Sequence, residues 1–104
     1  MMKFFYLTLS NADQAKQISI ELIEKHIAAC TNYWPMQSVY RWQGEIRVDS
    51  EVVLIIKTKS HQRQAIEAVI RRHIDYTNCI AEIDVSSVNE SYLQWLNREV
   101  DAAR

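Results

Sequence analysis

One segment, residues 38–59, constrains the fold of this chain more than any other. It reads SVYRWQGEIRVDSEVVLIIKTK and predicts one long β-hairpin that turns at Gln43-Gly44, where the chain has its only glycine. The thirteen residues from Ile46 to Thr58 would span roughly 40 Å as a strand. A chain of this length has a radius of gyration of only about 13 Å, so part of the hairpin must project beyond its own core.

The projecting part of the hairpin predicts a contact with another copy of the chain. Exposed strands present unpaired backbone N–H and C=O groups that a second chain can pair with. The return strand is continuously apolar at residues 52–56, which predicts a sheet that is buried on both faces. Two helices cannot cover both faces, so the rest of the cover must come from a third helix or, most simply, from oligomerisation. The predicted interface residues are Tyr40, Trp42, Ile46, Val53 and Ile55.

Seven elements are predicted, in the order strand, helix, strand, strand, helix, strand, helix. They are a strand at residues 3–9, a helix from a capping box at Asn11 and Gln14 to about Ala28, a strand at 30–40 bent near Pro35, the return strand of the hairpin, a helix capped by Ser60, a strand at 80–85 and a helix from Asn89. The order βαββαβ predicts an α+β, ferredoxin-like antiparallel sheet with an extra C-terminal helix. With no linker-like segment, residues 1–104 are expected to form a single domain.

Composition and charge argue against several classes of function. A net charge of −1 lacks the basic excess that nucleic-acid binding needs. The apolar run at the N-terminus is too short for a membrane span or a signal peptide, so we expect no membrane partner and a cytoplasmic location. His73 and Cys79 have no orienting third residue near them in sequence, so we do not expect an enzyme.

Three segments resemble the CutA family, which is named for divalent-cation tolerance. They read LIEKHIAACTN at 22–32, SVYRWQGEIRVDSEVVLIIKTK at 38–59 and YLQWL at 92–96. The resemblance implies a homotrimer in which the long hairpins pair across subunits around a threefold axis. It also implies that the protein binds copper or another divalent metal ion and contributes to metal tolerance.

The resemblance also suggests where a metal would bind. Members of the family usually have a His-Pro-Tyr-Glu segment after the second helix, followed by Pro-Glu at the last strand. This chain keeps His73, but Asn78 stands at the proline position and Cys79 at the glutamate position, and Leu7 stands where some members have a cysteine. His73 and Cys79 are therefore the candidate ligands, with Asp75 and Glu82 as oxygen donors, and a thiolate would favour Cu(I) or Zn(II).

Simpler interpretations stand beside each of these candidates. Cys30 and Cys79 fit small buried side chains, His73 fits a helix-capping residue, and His26 and His61 fit solvated helix positions. Aromatic residues of the hairpin fit interface packing better than stacking on a planar ligand. The basic set fits a solvated face better than an anion site; its members are Lys57, Lys59, Arg63, Arg71 and Arg72.

Three functions remain open at this level. The first is a metal-binding trimer, the second an anchoring trimer that holds partners in threefold symmetry, and the third a signalling trimer like the PII proteins, which share the fold. Apolar patches at residues 64–66 and at Ala102-Ala103 also raise the possibility of an engineered chain that assembles with a second protein component.

Overall fold

The structure, a computed structural model that describes residues 1–101, contains four strands and three helices within that range. The elements are β1 Met2–Leu9, α1 Ala12–Glu24, β2 Cys30–Trp42, β3 Glu45–Lys59, α2 Arg63–His73, β4 Ile80–Asp84 and α3 Glu90–Glu99. The strands form one antiparallel sheet in the order β2-β3-β1-β4. This is the ferredoxin-like α+β arrangement with an extra C-terminal helix, as the sequence predicts. None of the helices in residues 1–101 is long and apolar enough to cross a membrane.

The main core lies between the sheet and the helices α1 and α2. Alternate residues of the two central strands point into it, and the pairs Phe5 with Ile56 and Leu7 with Leu54 stand side by side in register. Removing each such side chain from water contributes about 1.5–3 kcal/mol. We call this side of the sheet the helix face.

The opposite side of the sheet, the open face, is covered only at one end. There α3 packs against Met2 and Phe4 through Leu96, which is fully buried. Beyond α3 the cover ends, and large side chains such as Trp34 and Ile83 remain exposed. Within residues 1–101, β3 is therefore buried on both faces over only part of its length, around the apolar residues 52–56.

The hairpin projects, as predicted. β2 and β3 pair from Cys30 with Lys57 to Trp42 with Glu45, whereas β1 pairs with β3 only from Val52 onwards. Residues 36–51 thus have no third strand beside them, and we call them the arm. The described chain measures 46 × 28 × 20 Å, so the arm accounts for the elongated shape. Pro35 lies on the edge strand β2, where a missing N–H donor is tolerated.

Helix α1 ends at Glu24, four residues before the predicted end at Ala28. His26 takes a left-handed conformation with φ of 58°, and the next two backbone N–H groups turn back to the carbonyl oxygen of Leu22. Left-handed residues of this kind end many helices, usually as glycine. With histidine in that place the sequence carries no recognisable stop signal.

His26 is exposed, but it is not the solvated helix residue that the sequence predicts. Its ring Nδ1 donates a hydrogen bond to the carbonyl oxygen of Glu99, at 3.1 Å, and its own carbonyl oxygen accepts from the N–H of Asp101 at 2.9 Å. Gln62 adds a third bond, from its side-chain amide to the carbonyl oxygen of Asp101. Together these bonds hold the C-terminal end of α3.

The start of α2 also differs from the prediction. Ser60 does not cap the helix, because its N–H and hydroxyl both face the carbonyl oxygen of Met1 and continue the sheet. The helix begins at Arg63, with Gln62 at the cap position. The patch at residues 64–66 is not an exposed apolar surface, since Ile66 is fully buried. Ala102 and Ala103 lie outside the described residues.

Candidate functional site

A groove of about 1200 Å³ lies on the open face, between the arm and the loop of residues 74–79 that joins α2 to β4. Tyr6 and Thr8 of β1 form part of its floor, Tyr40 and Trp42 line the arm side, and Cys79 lines the loop side. The groove brings the predicted ligand Cys79 and the predicted interface aromatics to one place. Sequence distance alone gives no indication of this juxtaposition.

One tyrosine ties the loop to the start of α1. The hydroxyl of Tyr76 donates to the Gln14 side-chain oxygen at 2.8 Å and accepts from the Ser10 N–H at 2.9 Å. The side chain of Gln14 also accepts directly from the Ser10 N–H. A loop held by such a network keeps its side chains in fixed positions beside the groove.

Asn78 provides the second attachment of the loop. Its side-chain amide donates to the carbonyl oxygen of Thr8 at 2.9 Å, and its side-chain oxygen accepts from Arg71 at 3.2 Å. The family resemblance places a proline here, and proline has no side-chain hydrogen bonds to offer. This chain therefore fixes the loop with an amide where the family pattern has a rigid ring.

His73 lies on the helix side of the molecule and is already engaged. Its Nε2 is 2.8 Å from an oxygen of Glu21 on α1. The same carboxylate accepts a 2.7 Å bond from Lys25 and contacts Arg72. The sequence offers no pattern that links Glu21 to His73, because the pair joins two helices. This ion-pair cluster is a structural role for His73 that the sequence does not reveal.

Cys79 lies apart from that cluster. It precedes β4 and lines the groove on the open face, and it is exposed. Asp75 also lines the groove, whereas Glu82 is paired with Lys3 and Arg63 on the sheet. Within residues 1–101 no three His, Cys, Asp or Glu side chains converge on a point that would hold a metal ion. Among the described residues, Cys79 and Asp75 are the two candidate ligands in the groove, whereas a metal site usually has about four.

The predicted interface residues divide by exposure. Tyr40, Trp42 and Ile46 are exposed on the arm, Ile55 is half-buried, and Val53 is already buried within one chain. The hydroxyl of Tyr40 donates to the carboxylate of Asp49, and this bond raises the pKa of Tyr40. Tyr40 thus combines an exposed ring with a fixed orientation.

Two exposed residues of the arm are missing from the prediction. Val39 and Val48 stand opposite each other in register and are 70% and 65% exposed. They lie on the side of the arm that carries Ile46, whereas Tyr40 and Trp42 lie on the other side. The period-two alternation from Ile46 to Val48 is the signal that could have identified them. Both sides of the arm therefore present apolar surface.

Comparisons with known proteins place the chain in a family. The family model for the CutA1 divalent ion tolerance protein matches residues 3–99. The divalent-cation tolerance protein CutA of Archaeoglobus fulgidus is 30% identical over 102 residues, which is 97% of this chain and all of the relative. Protein CutA of Homo sapiens is 36% identical over 101 residues, and the match covers 93% of this chain but 55% of the human protein.

Solved structures agree with the sequence matches. The structure of the periplasmic divalent cation tolerance protein CutA from Archaeoglobus fulgidus superposes with a TM-score of 0.92 at 30% identity, over 97% of this chain and all of that one. The names of these relatives are not names of enzymes. Since a family model, a full-length relative and a solved structure all match nearly the whole chain, it belongs to the CutA1 divalent ion tolerance protein family.

Proposed function

We propose that this protein is a homotrimer that binds a divalent metal ion, copper being the first to test, and that it contributes to metal tolerance through binding and not through catalysis. The observation that carries the proposal is the arm. Among residues 1–101, large apolar side chains remain exposed on both of its sides, and exposed apolar surface of this kind marks contact sites. The family to which the chain belongs supplies the link to divalent cations.

The sheet supports a closed ring of copies. Its two edge strands, β2 and β4, are different surfaces at opposite ends of the sheet. Pairing one edge with the other edge of the next copy is a heterologous contact, which closes into a ring when the rotation fits. Such a ring would satisfy the unpaired backbone groups of the edges, and it would bring the part of the open face beyond α3 against neighbouring copies. Three copies is the number that the family resemblance implies.

Metal binding would then be completed by assembly. Cys79 and Asp75 line the groove from one chain, and the remaining ligands would come from a neighbouring copy whose arm enters the same space. His73 would join the set only by giving up its hydrogen bond to Glu21. The thiol favours soft or borderline ions, Cu(I) and Zn(II) among them. The proposed location remains the cytoplasm, where such a thiol stays reduced.

Calorimetric titration with Cu(II) and, under reducing conditions, with Cu(I) tests the metal site. We expect the double variant His73→Ala, Cys79→Ser to bind much more weakly than the unaltered protein. Cys30→Ser serves as the matched control, because it removes the other cysteine, which lies outside the groove. Equal binding by the double variant and the unaltered protein would show that these residues are not ligands.

Native mass spectrometry at low protein concentration tests the assembly independently. We expect a single species with three times the chain mass of 12.2 kDa. A monomer would contradict the proposal. A trimer that binds no metal would instead support the anchoring function, in which the assembly holds attached partners in threefold symmetry.

A further inference from the structure

A second group of reactive side chains lies outside the groove, beneath α3 on the open face. Cys30 of β2 and Lys57 of β3 are direct partners in the antiparallel register, so their side chains lie on the same face, with Cβ atoms about 4.5–5.5 Å apart. Tyr92 of α3 packs over them. The Nζ of Lys57 is 5.8 Å from the centre of the Tyr92 ring and 5.9 Å from that of Phe4. A thiol, an ammonium group and a phenol therefore share one small space.

The hydroxyl of Tyr92 is the unusual member of this group. Its oxygen is buried and has no hydrogen-bond partner among residues 1–101, and buried polar groups without partners are uncommon. Burial first, and then the neighbouring Cys30, raise the pKa of Tyr92. The phenol keeps its proton at neutral pH and can donate a hydrogen bond to a suitable acceptor.

The sulfur of Cys30 interacts with this hydroxyl and is a candidate acceptor. A neutral thiol is a weak acceptor, but a thiolate, or an oxygen added to the sulfur, is a strong one. The bond from Tyr92 and the positive charge of Lys57 would thus gain strength only when the sulfur carries negative charge.

We propose that Cys30 is a site of oxidation by hydroperoxides, with Tyr92 and Lys57 stabilising the charged sulfur. The thiolate sulfur attacks the terminal oxygen of the peroxide, an S–O bond forms and the O–O bond breaks. The sulfur loses two electrons and becomes a sulfenic acid. The peroxide is reduced, and its departing oxygen takes up the proton released by the thiol and leaves as water or an alcohol.

Cys79 provides a built-in comparison within the same molecule. It is exposed, whereas Cys30 is only partly so, and no lysine stands opposite it, since β4 begins at Ile80 beside Leu7. If exposure alone decided the rate, Cys79 would react first. If Tyr92 and Lys57 activate Cys30, Cys30 reacts before Cys79.

The test treats the assembled protein with short pulses of hydrogen peroxide at neutral pH, traps sulfenic acid with dimedone, and measures each cysteine by mass spectrometry. We expect Cys30 to be labelled faster than Cys79. In Tyr92→Phe the rate at Cys30 should fall about tenfold, as expected for the loss of a hydrogen bond to a charged group, while the rate at Cys79 stays the same. Faster labelling of Cys79, or an unchanged rate at Cys30 in Tyr92→Phe, would overturn the inference.

A second variant tests the role of the charge. Lys57→Met keeps most of the side-chain stem and removes the ammonium group, and it should also slow labelling of Cys30. Lys59→Met is the matched control, because Lys59 is two residues further along the same side of β3 and is opposite Met2 rather than Cys30. Equal slowing by both lysine variants would contradict a specific role for Lys57. Melting curves identify a lysine variant that fails to fold. In that case the labelling rate of Cys30 in Tyr92→Phe decides the test.

Discussion

At the scale of single residues, the turn of the arm depends on two left-handed positions. Gln43 and Gly44 have φ values of 50° and 81°, the signature of the type I′ turn whose twist matches that of paired strands. The space beside Gly44 is open, with no atom within 4 Å of where a Cβ would stand. Only the backbone conformation therefore limits which residues the turn accepts.

Changing Gln43 to asparagine should stabilise the protein. Asn-Gly is the preferred pair for this turn, and a left-handed conformation costs other L-residues roughly 1–2 kcal/mol. We expect the free energy of unfolding, measured in urea, to rise by about 0.5 kcal/mol, a fraction of that cost. Gly44→Ala should lower it by about 1 kcal/mol. A loss of stability in Gln43→Asn would show that the glutamine side chain has a role that the backbone does not explain.

The contact between Tyr40 and Asp49 predicts a dependence on pH. The hydrogen bond raises the pKa of Tyr40 above its ordinary value of 10.0. A raised pKa in the folded state means that the contact stabilises the arm at pH values below about 10 and is lost as the pH rises through the higher, folded value. Absorbance at 295 nm, compared with Tyr40→Phe to isolate this residue among the five tyrosines, should show late ionisation. In Asp49→Asn the midpoint should fall, and an unmoved midpoint would contradict the assignment.

At the scale of elements, the sequence predicts interiors better than ends. The strands and helices appear in the predicted order because their apolar periods are set by the core. The end of α1 could not be predicted, since His26 replaces the glycine that usually marks such an end. The predicted start of α2 is wrong because Ser60, although serine is a common capping residue, donates its N–H to Met1 and extends the sheet. The pairing of His73 with Glu21 is invisible for a similar reason, since it depends on how two helices pack.

The bonds at the end of α3 lead to a prediction about its local stability. His26→Asn keeps a residue that tolerates the left-handed conformation but removes the ring that donates to Glu99. One hydrogen bond contributes about 1 kcal/mol, so hydrogen exchange of the α3 amides should become about fivefold faster. His61→Asn is the control, because His61 is also left-handed, at 70°. Equal effects of the two changes would show that the ring of His26 does not hold α3.

At the scale of the whole molecule, the length of the hairpin could be read from the sequence, but the groove could not. A continuous strand pattern around a single glycine is local information. The groove arises where the arm passes the loop of residues 74–79, and that loop is positioned by contacts of Tyr76 and Asn78 with residues near the first strand. Such contacts join distant parts of the chain, and no periodic pattern in the sequence indicates them.

Substitutions on the arm should disrupt assembly where similar substitutions elsewhere do not. Ile46→Lys places a charge on the arm at a side chain that is 69% exposed, and Ile20→Lys places the same charge on α1 at one that is 43% exposed. Neither change disturbs the core of one chain. Native mass spectrometry should show smaller species for Ile46→Lys and no change for Ile20→Lys. The reverse result would move the predicted interface from the arm to α1.

The arm also affects the order in which the molecule folds. Its two strands are joined by a two-residue turn between Trp42 and Glu45, so their pairing joins residues that are close in sequence. The pairing of Met2 with Lys59, by contrast, joins residues that are far apart in sequence. Short loops close sooner than long ones. The apolar arm therefore forms before the body that it projects from is complete. Newly made chains would meet through their arms early, and refolding yield should depend on protein concentration even where the finished protein is very stable.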